Sequence, residues 1–206
     1  MVDARKSPRS RVHLRVAYKL GEAHVERFAE NLSAGGLFVL DATDLTPREQ
    51  VLVEIELPKH GVFRVQAEVM HVNANEPGRR AGAGLQLKAP PAVFKQELAA
   101  YLKRLERRTE AQVFVDADPW RRLLAEAGYR VMKLPAPANV VELLGDATAI
   151  GILAPADMAE QYRSALAFLG DDGSMVISID DDLPVEPVLA WLDDKLLGTA
   201  LTPAES

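Results

Sequence analysis

The stretch Arg11–Leu20, RVHLRVAYKL, decides how the first half of this chain folds. Val12, Leu14, Val16 and Tyr18 or Leu20 recur at every second position, with Arg11, His13, Arg15 and Lys19 mostly between them. Successive side chains of a strand point to opposite faces, so this pattern predicts an antiparallel strand with one apolar and one wetted side. AHVERFAENLS and GLFVL follow as strands, QVLVEIELP and VFRVQAEVMHV alternate again, and AGAGLQL closes the run. Turn signals at Leu20-Gly21-Glu22, Ala34-Gly35 and Lys59-His60-Gly61 separate the strands. Six short strands within about 90 residues predict a small barrel or sandwich.

Pro90-Pro91 ends that pattern. In AVFKQELAAYLKRLERR, Val93, Phe94, Leu98, Tyr101, Leu102 and Leu105 fall at helical spacing, which predicts an amphipathic helix. The remainder alternates differently. AQVFV, YRVMKL, ATAIGILA and SMVISI read as strands; PWRRLLAEAG, ANVVELLG, DMAEQYRSALAFLG and VEPVLAWLDDKLLG read as helices. Four β-α units in succession require a parallel sheet with helices on its faces. The expected organisation is an α+β chain of two domains: a six-stranded antiparallel barrel with its closing helix over residues 1–108, a small (βα)4 domain over 109–200, and a flexible tail over 201–206.

Composition narrows the chemistry. The 206 residues are 48% hydrophobic and 26% charged, enough apolar material for two cores. There is no cysteine, which excludes disulfides, thiolate zinc sites and cysteine nucleophiles. The four histidines lack metalloprotease spacing, and no serine-histidine-acid set, P-loop or G-x-G-x-x-G occurs, so neither an enzyme nor a metal or organic cofactor is expected. No apolar run reaches membrane-span length and no signal peptide opens the chain, so no membrane insertion and a cytoplasmic location are expected. Net charge is −6, unevenly spread. Residues 1–110 hold 18 Lys and Arg against 14 Asp and Glu; residues 111–206 hold 6 against 16. Such asymmetry predicts different partners for the two halves, an anion for the first and a protein for the acidic second. Nucleic acid is not expected, because the acidic half opposes it.

The residues with most chemical content lie on either side of the first strand. Arg5-Lys6-Ser7-Pro8-Arg9 precedes it, and Asn31-Leu32-Ser33-Ala34-Gly35-Gly36 follows the next. An antiparallel hairpin returns the chain to its start, so the Asn31–Gly36 turn should sit beside the arginine arm. Guanidinium groups grip phosphate through paired hydrogen bonds and stack on flat rings. Asn and Ser offer donors and acceptors, and Gly35 and Gly36 permit positive φ and a close ligand approach. Together they suit a compact anion with flat bases, a nucleotide.

R-x-x-x-R followed by [D/N]-x-S-x-x-G resembles the PilZ family, bacterial receptor domains for cyclic di-GMP, and GAGLQL resembles that family's last barrel strand. The resemblance covers roughly residues 4–108. It implies that Arg5 and Arg9 bind phosphates and stack on guanine, that Asn31 and Ser33 bond a guanine edge or phosphate, and that Gly36 keeps the turn tight. Lys6, Arg11 and Gly35 are supporting candidates. The residue before the first arginine bears on ligand stoichiometry in the family; here Ala4 favours one molecule, while Lys6 and Arg11 leave a pair open. The implied role is a cyclic di-GMP effector coupled to a protein partner in motility, polarity or surface behaviour; the alternative is a ligand-independent adaptor. In the second half VFVDADPW resembles the opening of receiver domains. The third strand, however, ends Ile152-Leu153-Ala154-Pro155 without a phosphoacceptor acid, which implies a degenerate, receiver-like interaction module. Asp118, just before Pro119, reads as a helix amino-cap, and Asp182 as a turn residue.

Overall fold

The computed structural model describes residues 9–74, 78–143, 148–168, 174–180 and 182–198. Arg5, Lys6 and the expected 201–206 tail lie outside them. The chain divides into two compact units, Met1–Lys103 and Arg104–Ser206.

In the first unit, β1 (Ser10–Leu20), β2 (Ala23–Ser33), β3 (Gly36–Leu40), β4 (Gln50–Leu57), β5 (Gly61–Asn73) and β6 (Gly82–Leu87) form a closed barrel in the order β1-β2-β3-β6-β5-β4. Closure rests on a short antiparallel ladder, Val16↔Ile55, Ala17↔Glu54 and Tyr18↔Val53. The inward set is the one that the alternation predicts: Val12, Leu14, Val16, Tyr18, Val51, Val53, Ile55, Leu57, Val65, Ala67 and Val69 are all buried. The segment after β3 adds Ala42 and Leu45 to the core, and the Tyr18 hydroxyl donates to Asp44 Oδ1 at 2.6 Å. Helix α1 (Ala92–Glu106) buries Phe94, Leu98 and Tyr101. It meets the β4–β5 hairpin through an edge-on contact of Phe94 with Phe63 (centroids 5.4 Å apart) and the His60 Nδ1 to Glu97 Oε2 pair at 2.5 Å.

Each strand surrounding the arginine side carries an irregularity. Between Arg11 and Leu14, β1 runs one residue longer than β2; β2 does the same against β3 between Ala29 and Asn31, and β5 against β6 between Val69 and His71. Each is a one-residue bulge, a device that bends a strand and re-aims side chains.

The glycines of the β2–β3 turn differ from expectation. Neither Gly35 nor Gly36 is among the residues at positive φ. Gly36 is required for another reason: a Cβ there would lie 2.2 Å from the Leu85 carbonyl oxygen of β6. Gly35 faces open space, and its carbonyl accepts the Leu87 N–H at 3.0 Å. The conformational freedom lies at Gly21 (φ 59°) and Gly61 (φ 102°) in the neighbouring hairpins.

In the second unit, β7 (Gln112–Phe114), β8 (Arg130–Met132), β9 (Ala149–Pro155) and β10 (Val176–Ile179) form a parallel sheet in the order β10-β9-β7-β8. Helices α2 (Asp118–Glu126), α3 (Ala156–Phe168) and α4 (Val185–Gly198) connect or follow the strands. Residues 138–143 of the expected ANVVELLG helix belong to a 3-10 helix, Pro137–Leu143, and Leu144 and Gly145 lie outside the described residues. Two clusters fill the unit: Val113, Val115, Trp120, Leu124, Ile150, Leu153, Val188 and Leu192 lie in one, and Phe114, Val140, Ile152, Ala159, Tyr162 and Leu166 in the other. The near-continuous burial of β9 is what two-sided coverage demands.

A charged group is buried in this unit. Arg108, 3% exposed, donates from Nε to Asp193 Oδ1 at 2.9 Å, from Nη2 to Oδ2 at 2.5 Å and from Nη1 to the Ala127 carbonyl at 3.1 Å. The Tyr129 hydroxyl donates to the same Asp193 Oδ1 at 2.5 Å, and the guanidinium lies 5.3 Å from the Tyr129 ring centroid. The forked geometry satisfies both carboxylate oxygens and offsets much of the desolvation of the two ions.

Three outcomes follow from these contacts. Asp193→Ala strands a buried guanidinium and costs roughly 3–5 kcal/mol, whereas Arg108→Met with Asp193→Leu costs much less, read by urea unfolding. Burial, then the adjacent Asp193 carboxylate, pushes the Tyr129 phenol well above its ordinary value. Its folded pKa is raised, so its contribution is complete below the unfolded value of about 10 and is lost as pH rises above it; alkaline unfolding monitored by tyrosinate absorbance checks this. Gly36→Ala forces β3 from β6 and destabilises the barrel by about 1–3 kcal/mol, while Gly35→Ala is neutral or slightly stabilising, compared by thermal melts.

Candidate functional site

The β1–β2 ladder assembles the site. Ser10 pairs with Leu32 and Arg11 with Asn31, so the entry to β1 lies against the end of β2. Arg9 immediately precedes Ser10 and is exposed; Arg11 and Asn31 are half-buried cross-strand neighbours. The strand register thus brings Arg9, Arg11, Asn31 and Ser33 to one edge of the barrel, with Gly35 and Gly36 in the following turn. Arg5 and Lys6 lie outside the described residues.

Each polar side chain has a distinct state. Asn31 Oδ1 is buried with no hydrogen-bond partner among the described residues. A buried acceptor left unmade is costly, and such an atom at an exposed edge marks a place where a donor belongs. Ser33 is only 5% exposed, and its Oγ donates to the Gly36 carbonyl at 3.1 Å. This hydrogen bond closes the turn from within, the local side-chain-to-backbone bond that serine makes readily.

The site extends further than the sequence suggested. Cross-strand pairs carry the row from Arg11 and Asn31 to Phe38, Gly84 and His71 across five strands. Phe38 and His71 are stacked with centroids 6.1 Å apart, and Gly84 leaves the space, since a Cβ there would lie 2.2 Å from His71 Cε1. Gly82, at φ 148°, similarly makes room for the Phe38 ring and the Val39 carbonyl. Arg80, in the loop before β6, has its Nε 3.2 Å from Glu30 Oε1, beside Asn31. Lys88 holds Glu68 at 2.7 Å and Gln86 at 2.8 Å, and Gln86 pairs with Gly36. The hydrogen bond from Lys88, reinforced by its charge, holds the Glu68 carboxyl below its usual range. Arg80 precedes β6 and Lys88 follows it, so the two cations lie at its opposite ends, with Lys88 at the end that pairs with Gly36. Register, which brings Arg80, Phe38 and His71 here, has no local sequence signal.

The acids of the second unit have structural partners. Asp116 follows β7 at the carboxyl edge of the sheet, where ligands of doubly wound folds bind. Its Oδ1 accepts the Leu134 N–H at 3.2 Å, and the nearby Tyr162 hydroxyl donates to the Pro135 carbonyl at 2.6 Å. Burial, then the Asp116 charge, raises the Tyr162 phenol. Asp118 is not an amino-cap: α2 begins at Asp118 itself, Ala117 holds the cap position and no side chain caps it. Pro119 therefore sits one place further into the first turn than the sequence suggested, leaving Asp118 to act on the helix dipole. Asp180 Oδ1 accepts the Asp182 N–H at 3.1 Å, a local turn. Among the described residues no cluster of His, Cys, Asp and Glu could hold a metal ion, and no helix is long and apolar enough to cross a membrane.

Comparison with known proteins places this barrel. The PilZ domain family matches residues 3–104. No curated protein matches the chain. Among solved structures, the Bacillus subtilis inhibitor of motility MotI/DgrA aligns at 24% identity over 50% of this chain and 51% of that one, with a TM-score of 0.44. Escherichia coli YcgR in complex with c-di-GMP aligns at 20% identity over 52% and 47%, with a TM-score of 0.45. The K. pneumonia MrkH–c-di-GMP complex aligns at 16% over 51% and 53%, with a TM-score of 0.45. The chain spans about half the length of each. With the family match covering the closed six-stranded barrel and both halves of the arginine and Asn-x-Ser-x-x-Gly pattern, the amino-terminal half of this chain is a PilZ domain and belongs to the PilZ family.

Proposed function

We propose that this chain is a non-enzymatic effector that binds cyclic di-GMP at the barrel edge carrying Arg9, Arg11, Asn31 and Ser33, and passes the signal to a protein partner. Arg5 and Lys6 of the amino-terminal arm complete the cation set. The observation that carries this reading is the Arg11↔Asn31 pairing with Asn31 Oδ1 buried and unpartnered. An unmet acceptor beside several cations suits a ligand with both N–H donors and phosphate oxygens. The guanidinium groups take the phosphates in bidentate fashion and stack on the bases. Asn31 accepts from a base edge. Burying flat bases against the edge adds apolar area that a lone phosphate lacks.

The two halves divide the labour in this reading. The cationic barrel edge recognises the nucleotide, and the acidic second half serves as a receiver-like surface for the partner, without phosphotransfer, since β9 ends at Pro155 with no acid to accept phosphate. The motility, polarity or surface process served would be set by that partner. A ligand-independent adaptor is favoured by a different observation: the Ser33 hydroxyl already has its partner within the turn.

Calorimetric titration of the full chain with cyclic di-GMP separates the two. Saturable binding is expected, weakened about ten- to a hundredfold in Arg9→Ala, the scale of one charge-assisted bidentate contact. Asn31→Ala should weaken it less. Heat changes that are absent for the wild type, or equal in wild type and Arg9→Ala, would establish the adaptor reading instead.

A further inference from the structure

Residues 111–206 are acidic, but their few cations are not scattered. Of the six Lys and Arg in residues 111–206, four fall between positions 121 and 133: Arg121, Arg122, Arg130 and Lys133. All four are exposed. None forms a salt bridge among the described residues, whereas Arg15, Arg27, Arg64, Arg80 and Lys88 of the barrel all do. Arg121 and Arg122 of α2 line an open cleft of about 810 Å³ with Asp118, Pro119, Ala125 and Val131 of β8. The other two cations flank that strand, Arg130 as its first residue and Lys133 just past its end.

The backbone of the cleft is also polarised. β8 is an edge strand of the sheet. The Arg130 N–H donates to Ala111 O at 3.0 Å, and the Met132 carbonyl accepts Val115 N–H at 3.1 Å, both on the β7 side. Alternate residues of a strand face opposite neighbours, so Val131 turns its N–H and C=O toward the open edge of the sheet, next to the cleft that Val131 lines. An isolated positive island on an otherwise negative surface attracts an anionic partner and lets the surrounding acids repel it from every other approach, which fixes orientation.

We propose that the α2–β8 cleft is a docking site for an acidic, extended segment of a partner protein. Carboxylates of the segment pair with Arg121 and Arg122, which line the cleft, and Lys133 adds positive charge just past the end of β8. Its backbone meets the free edge at Val131, and an apolar side chain rests on Ala125, Pro119 and Val131. A strand of three residues is too short for backbone pairing to hold a partner alone, so charge supplies the selectivity. A nucleic acid fits less well, because a continuous polyanion must also run past the sixteen acids of this half. This site stands apart from the nucleotide reading and does not depend on it.

The test uses the full chain, ¹⁵N-labelled, titrated with a blocked peptide of about eight alternating Glu and Val residues. Saturable amide shifts confined to residues 118–133 are expected, with the dissociation constant rising about tenfold in Arg121→Ala/Arg122→Ala and increasing with salt around 0.15 M. Arg121→Lys/Arg122→Lys keeps the charge and should retain most of the binding. Both pairs of substitutions are at exposed sites, so the remaining amide spectrum should be unchanged. Three results would overturn the proposal: shifts absent or lying elsewhere, equal binding of an alternating Lys and Val peptide, or a single-stranded oligonucleotide that binds at these amides more tightly than the acidic peptide.

Discussion

The antiparallel register between β1 and β2, with its one-residue bulge, is the constraint from which the barrel edge takes its form. On the Leu20 side of the bulge, Leu14, Val16 and Tyr18 face the core, opposite Ala29, Arg27 and Val25. On the other side, Arg11 faces Asn31 and Ser10 faces Leu32. A strand has a side-chain period of two, so a slip of one residue would exchange its faces. Val12 and Leu14 keep the period-two alternation and both remain buried, while the extra residue re-aims the strand. Matching bulges at Glu30 and Met70 carry the same bend around to β3 and β6, so that curvature is shared among neighbours instead of concentrated in one strand.

Much of this was legible in the sequence because it is local. Period two marked the longer barrel strands, a short apolar run after the turn glycines marked β3, and the turn residues marked their ends. The amphipathic spacing of Phe94, Leu98 and Tyr101 gave α1. The adjacency of the arginine arm and the Asn31–Gly36 turn follows from a single hairpin, the shortest-range tertiary inference available. What escaped depends on distant partners. Gly36 looks like a turn glycine, but its cause is a carbonyl on β6, far away in sequence. Arg80 and Glu30 meet only because β5, β6 and β3 close the sheet beside β2. Asp118 followed the amino-cap pattern, and the helix began one residue early.

The second unit teaches a related lesson about buried charge. Arg108 reads as the end of a basic helical turn, where a cation suits the helix dipole. Its guanidinium instead lies in the interior, held by Asp193 of the last helix and Tyr129 before β8. One carboxylate thereby ties the first and last segments of the unit. Hydrophobic burial alone tolerates many arrangements of similar area, whereas a forked ion pair tolerates one, so this contact selects a single packing of α4.

The Ser33 hydroxyl, donated inward to the Gly36 carbonyl, gives the barrel edge a direction of polarity. A hydroxyl has one proton and two lone pairs. With the proton engaged, Ser33 can only accept from a further partner, as the amide oxygen of Asn31 does. Ser33 Oγ and Asn31 Oδ1 are thus acceptors beside the guanidinium donors of Arg9 and Arg11. A ligand at the proposed site would then bring N–H groups to the turn and negative oxygens to the arginines. A simple anion can satisfy only half of this edge.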